Sequence, residues 1–351
     1  MKFLKKLATP LFLIGCLLLG FGISSLVKSW LGRATTPTPS HPDSIIVKRT
    51  APPPTLRGIT LAADMPTAAD DAPAAFSKLR ALGANWVAFS PEIHSLADIQ
   101  STDAGLRATA LAAGAAQFHV CYLPRFSFHG QSTPTRHEIL LAVARHAKAR
   151  GYDMLALGYQ TGEASPVDSF WRPALLAARR EFPGQLVYVA TDTLYPYVDW
   201  WDTVDFVAVA GPFTISLQPE PTPEQLRLGY QAQLDTIGSI GLRESKPVLL
   251  FDVAHPASPL AATEPASRLV KTPRPDLQQA CIQAAVETIR GESWLRGVFL
   301  ATWHLDSAAA KTDPSALNTD AKLLQIIADE WRAPQPVAAL PAAALAPDAI
   351  R

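Results

Sequence analysis

Cysteine is almost missing from this chain, with three in 351 residues. Three thiols cannot build a disulfide framework, and no Cys-x-x-Cys or His-x-x-x-His spacing is present to hold a metal. No metal centre and no cofactor is expected. Net charge is missing too. The 31 basic side chains balance the 31 acidic ones, so no electrostatic pull toward nucleic acid or an acidic partner exists, and nucleic acid is not expected as a ligand. The glycine fingerprint of dinucleotide-binding sheets does not follow the first strand-like run, which argues against a doubly wound open sheet. Cys121 and Cys281 fall in a strand-like and a helix-like stretch and read as buried thiols.

One run at the N-terminus is both long and almost wholly apolar. Leu11–Val27, LFLIGCLLLGFGISSLV, carries no charge and follows Lys2, Lys5 and Lys6. At the short end of a membrane span, it reads as an N-terminal transmembrane helix within residues 1–33, with the lysines on the cytoplasmic side. Two rivals stand beside this reading. LIGC (Leu13–Cys16) resembles a lipoprotein box that would lipidate Cys16, and a cleaved signal peptide would leave no anchor. All three place the remainder outside the cytoplasm. Residues 34–54, rich in Pro and Thr, read as an extended stalk, and the Ala/Pro-rich residues 334–351 as a disordered tail.

Between them, residues 55–333 carry eight short apolar, β-branched runs beginning at Arg57, Asn85, Gln117, Tyr152, Gln185, Val204, Lys246 and Gly297. Stretches with helical period separate them, the one between the fifth and sixth runs being short. Continuous apolar runs are what parallel strands covered on both faces require. Eight strand–helix repeats close most simply as a single (β/α)8 TIM barrel, expected to be monomeric.

In such barrels chemistry gathers at the C-terminal ends of the strands. That rule selects Asp64, Glu92, His94, Arg125, His129, Gln160, Glu163, Asp192, Phe213, Asp252, His255, Trp303, His304 and Asp306 as mouth residues. The histidines at 94, 129 and 255 have no ligand spacing and read as scattered loop residues. Trp303 is placed to floor a sugar ring. Trp171, Trp200, Trp201, Trp294 and Trp331 read as packing residues. The loop His255–Pro275 is long enough to plug the mouth.

The order of the segments RGITL, LRALGANWVAFSP, ARGYDMLALGYQ, FWRPALLAARREFPGQLVYVAT, WWDTVDFVAVAGPF, KPVLLFDVAH and GVFLATW, over residues 57–332, resembles glycoside hydrolase family 113. The resemblance implies a (β/α)8 fold, β-1,4-mannanase activity by the retaining mechanism, and a polysaccharide or oligosaccharide partner. It also implies site residues. The family's acid/base glutamate falls on Gln160, in LGYQT. Its nucleophile glutamate falls on Asp252, in KPVLLFD. A sugar-binding asparagine falls at Thr191 and Asp192, and the strand-three end delivers Arg125. Asp64, Glu92 and Trp303, taken from the strand-end rule and not from the resemblance, complete the expected substrate contacts.

The barrel-building segments match and the chemical positions do not. Glutamine has no proton to give, and losing acid/base help costs about 10²–10⁴-fold. Aspartate is one methylene shorter than glutamate, a misplacement that can cost ~10²-fold. The expectation is a membrane-anchored, extracytoplasmic protein that binds glycan with weak or no hydrolysis. The alternative is an active hydrolase in which Glu163 supplies the proton and pairs with Asp252, at the ~6.5–9.5 Å separation of an inverting mechanism. A weaker third reading has the barrel serving as an interaction module in the cell envelope.

Overall fold

The computed structural model describes residues 55–62, 72–158, 168–267 and 272–333. The chain divides at Pro53/Pro54, and every described residue belongs to the second unit. The expected anchor, stalk and tail lie outside the described residues, as do Asp64, Gln160 and Glu163. No helix among the described residues is long and apolar enough to cross a membrane.

Eight strands form a closed parallel barrel: β1 (Leu56–Leu61), β2 (Trp86–Phe89), β3 (His119–Tyr122), β4 (Met154–Leu157), β5 (Gln185–Thr191), β6 (Phe206–Ala210), β7 (Val248–Val253) and β8 (Leu295–Trp303). Each pairs with the next, and β8 returns to β1, where Gly58 meets Phe299 in register. The eight apolar runs are these strands. Helices α1 (Ala72–Leu82), α2 (Leu96–Ser101), α3 (Asp103–Ala115), α4 (Thr133–Ala149), α5 (Asp168–Glu181), α6 (Pro223–Arg243), α7 (Pro275–Gly291), α8 (Ser307–Thr312) and α9 (Ala321–Arg332) alternate with them.

The helices are specified locally. In α9 the buried Leu323, Ile327, Ala328 and Trp331 make one apolar stripe, and Asp320 caps it by accepting from Lys322 N at 2.8 Å. At α6, Thr222 and Gln225 form a reciprocal capping box ahead of Pro223. Between β5 and β6 no α-helix forms among the described residues. Tyr195–Tyr197 and Trp201–Thr203 make single 3₁₀ turns separated by extended Val198. Trp200 and Trp201 instead anchor this crossover, packing edge-on to Tyr188 at 5.1 and 5.9 Å. Trp171, Trp200, Trp201 and Trp331 are buried and Trp294 is half-buried against the core, so the packing reading of these five holds.

Side chains along each strand divide into two apolar layers. Trp86, Met154, Val187, Phe251 and Phe299 belong to the interior cluster, whereas Val87, Leu155, Leu186 and Leu250 face the helices. The interior is tightly filled. A Cβ on Gly58 would come within 2.2 Å of the Phe299 ring, which is stacked on Phe251 at 4.5 Å. Cys121 lies in this interior and Cys281 in the outer layer, both as free buried thiols.

The N-terminal ends of the strands share a repeated device. The residue just before β2, Asn85, accepts the backbone N–H of Arg57 at 2.8 Å. Just before β4, Asp153 accepts from Val120 N at 2.8 Å. Just before β6, Asp205 accepts from Leu186 N at 2.7 Å and from Arg179 at 2.6 Å. Each pins one strand start to its neighbour and satisfies a backbone donor that would otherwise be unpaired. Lys246, ahead of β7, donates to the Val204 carbonyl nearby. This end holds the barrel together and leaves the opposite end for the site.

Candidate functional site

Two walls rise at the C-terminal ends of the strands. The first follows β2 and β3, where Glu92–Ile93 and Arg125–Phe126 run on as a two-residue parallel pair. The second is stitched from the loops after β6, β7 and β8. Ile215 N donates to Ala262 O at 2.9 Å, Ala257 N to Pro314 O at 2.7 Å, and Gln278 Nε2 to His255 O at 2.9 Å. Arg274 clamps Glu220 at 2.7 Å and Asp276 at 2.9 Å on the same side. The described part of the His255–Pro275 loop is therefore folded onto its neighbours, with Ser258, Ala261 and Ala262 buried.

Asp252 crosses from the second wall toward the first. Opposite Val298 and Leu300 of β8 stand Leu250 and Val253 of β7, so β7 carries one extra residue. That bulge lets Phe251 face the interior and Val253 face the helices with Asp252 between them. Asp252 adopts φ +47°, the left-handed region, which aspartate tolerates better than most residues. The end of β6 passes close by, since a Cβ on Gly211 would lie 3.0 Å from the Asp252 carbonyl oxygen.

The Asp252 carboxylate reaches Arg125. Oδ2 lies 3.7 Å from Nη2, an ion pair too long to be a hydrogen bond, and Oδ1 is buried with no hydrogen-bond partner. Arg125 Nε donates to Ser90 Oγ at 2.9 Å, and Ser90 is fully buried. The Asp252 side chain is 6% exposed and the Arg125 side chain 21%. The guanidinium thus faces the opening and the carboxylate sits behind it. The Asp252 charge also adds to the burial that pushes the interior Cys121 thiol well up. Ser90 was absent from the sequence-derived set, although the period-two continuation of Trp86 and Ala88 points it inward.

The other mouth residues sort differently. Asp192, after β5, is half-buried, and burial raises its carboxyl against the lowering effect of hydrogen bonds from the backbone N–H groups of Thr193 and Asp192. Glu92 is exposed, 3.7 Å from His94. His129 is exposed and Phe213 buried. Asp306 caps the short helix α8 by accepting from Ala308 N.

Two expectations are corrected. Trp303 is 2% exposed, packed in the outer core with its carbonyl accepting from Ala62 N, so it offers no open face to a sugar. The strand register opposite Leu61 places its ring in the outer layer. His255 is not a loose loop histidine. It is 1% exposed, with Nε2 2.5 Å from Tyr230 Oη and Nδ1 2.6 Å from Ala261 O. His304 is also held, with Nε2 2.8 Å from Asp313 Oδ2 and its backbone bracketed by Asn318. Among the described residues no cluster of His, Cys, Asp or Glu can hold a metal.

The sequence model of glycoside hydrolase family 113 matches residues 134–322, just over half of the chain. No curated protein matches by sequence. Solved structures match at low identity and share the fold. A family 113 β-mannanase from Alicyclobacillus acidocaldarius, in complex with ManMIm, is 18% identical with a TM-score of 0.63, over 80% of this chain and 97% of that one. A family 113 β-1,4-mannanase is 14% identical with a TM-score of 0.67, over 80% and 100%. The GH5_18 protein from Streptomyces cattleya, in complex with GlcNAc, is 15% identical with a TM-score of 0.59, over 81% and 82%.

Proposed function

The chain belongs to glycoside hydrolase family 113, and on that premise we propose that it binds a glycan at the barrel mouth and hydrolyses it weakly or not at all. Asp252 carries the reading. At the position where the family's nucleophile falls, a shorter carboxylate is held back on Arg125 and is 6% exposed. A retaining glycosidase needs one ionised carboxylate at the sugar and one protonated carboxyl about 5–5.5 Å away. Gln160, at the acid position, has no proton to donate. Glycan as the ligand is supported by the family and by neighbours solved with ManMIm and GlcNAc. We place the barrel outside the cytoplasm on an N-terminal anchor, because Leu11–Val27 is uncharged and precedes a Pro/Thr-rich stalk.

The test is a pair of assays on the full-length protein, glycan binding and release of reducing sugar, against mannan, β-glucan and peptidoglycan-type glycans. Binding without release supports the proposal. Rapid release, abolished by Glu163→Gln, overturns it in favour of an active hydrolase built on Glu163 and Asp252.

A further inference from the structure

Ser90 and Arg125 meet because two strand ends run side by side. Phe89 stands opposite Tyr122 where β2 pairs with β3. The pairing continues past the barrel, with Leu123 N donating to Phe89 O at 2.8 Å and Arg125 N to Pro91 O at 2.8 Å. Side chains alternate along extended chain. Ala88 lies in the interior cluster, as do Cys121 and Leu123, so Ser90 and Arg125 continue the inward rows of their two segments. Ser90 is fully buried, and its Oγ accepts from Arg125 Nε at 2.9 Å.

The far end of the arginine lies across the barrel. β3 and β7 are four strands apart in the closed ring of eight, which puts them on opposite sides. Arg125 starts beyond β3, yet its Nη2 comes within 3.7 Å of Asp252 Oδ2 on β7. The side chain therefore spans the top of the interior, above an apolar cluster that holds Leu123 and the Phe251–Phe299 stack. It is 21% exposed, so a ligand entering here meets guanidinium before it meets the interior. Trp303 is turned into the outer core, and the guanidinium stands where an aromatic floor was expected.

Held in this way, the arginine is ordered before a ligand arrives. Ordering one long side chain only on binding weakens association by about 2–12-fold. Two tethers avoid that here: the Ser90 hydroxyl fixes Nε, and the Asp252 carboxylate draws Nη2. Of these two, only the Ser90 contact is short enough to be a hydrogen bond.

Resting on the reading that glycan binds at the barrel mouth, we infer that Ser90 is a positioning residue for that binding: it holds the Arg125 guanidinium across the barrel as a hydrogen-bonding floor for the sugar. The planar fork of donors matches sugar oxygens, and the single flexible ammonium of lysine does not reproduce it.

The test titrates the full-length protein with oligosaccharides of mannan, β-glucan and peptidoglycan type, for Ser90→Ala, Arg125→Lys and the two together. Lysine keeps a cation for Asp252 but places a methylene where Nε stands, so it gives Ser90 nothing to hold. Ser90→Ala should weaken binding by about 3–10-fold, and should weaken it no further when Arg125→Lys is already present. Ser90→Cys, with only a weak acceptor in nearly the same space, makes the same comparison if the alanine variant does not fold. Thermal unfolding read alongside separates positioning from packing. If Ser90→Ala lowers Tm but not affinity, if it weakens binding equally in both backgrounds, or if Arg125→Lys leaves affinity unchanged, the inference is overturned while glycan binding at the mouth stands. If the unsubstituted protein binds none of these oligosaccharides, the functional reading falls and the role of Ser90 falls with it.

Discussion

Asp252 and Arg125 stand 3.7 Å apart across the barrel mouth, one on the bulged end of β7 and the other on the arm after β3. The Asp252 carboxylate is the counter-ion of Arg125. Asp252 does so from a left-handed backbone, which costs about 1–2 kcal/mol for an L-residue. Asp252→Val should lower stability by about 2 kcal/mol or more, since a β-branched side chain resists φ +47°, and Asp252→Gly, which relieves the backbone but also removes the counter-ion of Arg125, should cost less than Asp252→Val. Asp252→Asn, which tolerates the backbone but takes the counter-ion from a largely buried Arg125, should lower stability by about 1–3 kcal/mol. Denaturant midpoints rank the three.

Asp205 tests the opposite end. It accepts from Leu186 N and pairs with Arg179 at the start of β6. Asp205→Ala leaves a backbone donor unpaired and should destabilise by about 1–3 kcal/mol, while glycan affinity of the folded fraction stays unchanged. A loss of affinity at constant fold would place this end in the binding site.

Acid should weaken the wall after β7. Burial lowers the His255 imidazole to about 4, the hydrogen bond to Ala261 opposing it. An unfolded histidine titrates near 6.5, so as pH falls the unfolded chain takes up the proton first. The stability contribution is fully present above ~6.5 and is lost between there and about 4, with a slope of up to ~1.4 kcal/mol per pH unit. Comparing His255→Asn with the unsubstituted protein at pH 7.5 and 4.5 removes the background from carboxylates. Equal pH dependence in both would contradict this.

Leu11–Val27 should hold the protein in the membrane fraction through alkaline carbonate washing, and a chain beginning at Thr55 should be released. Full-length protein recovered in the soluble fraction with an intact N-terminus would refute the anchor.

The barrel was legible because period and strand length act locally. Each apolar run in the sequence became a strand, and the segments around Asn85, Asp153 and Asp205 supply the pins that set β1, β3 and β5. The mouth was less legible because its arrangement depends on backbone irregularity. Nothing in KPVLLFDVAH announces that Asp252 takes a left-handed φ and adds a bulge. Nor does Trp303 announce that its ring turns to the outer core. Ser90 could have been found by counting alternate residues from Trp86. The tie between His255 and Tyr230, 25 residues apart, exists only once α6 is packed beside the loop.

The most direct measurement compares release of reducing sugar by the unsubstituted full-length protein and by Gln160→Glu/Asp252→Glu, on a glycan that both bind. The proposal predicts binding without measurable release in the first, and release in the double variant raised by about 10²-fold or more, because a proton donor and a longer carboxylate return together. Each single change should restore less, since the two carboxyls act as a unit. Efficient release by the unsubstituted protein, lost on Glu163→Gln and not improved by the double change, would contradict the claim that the site at Asp252 binds without turning over.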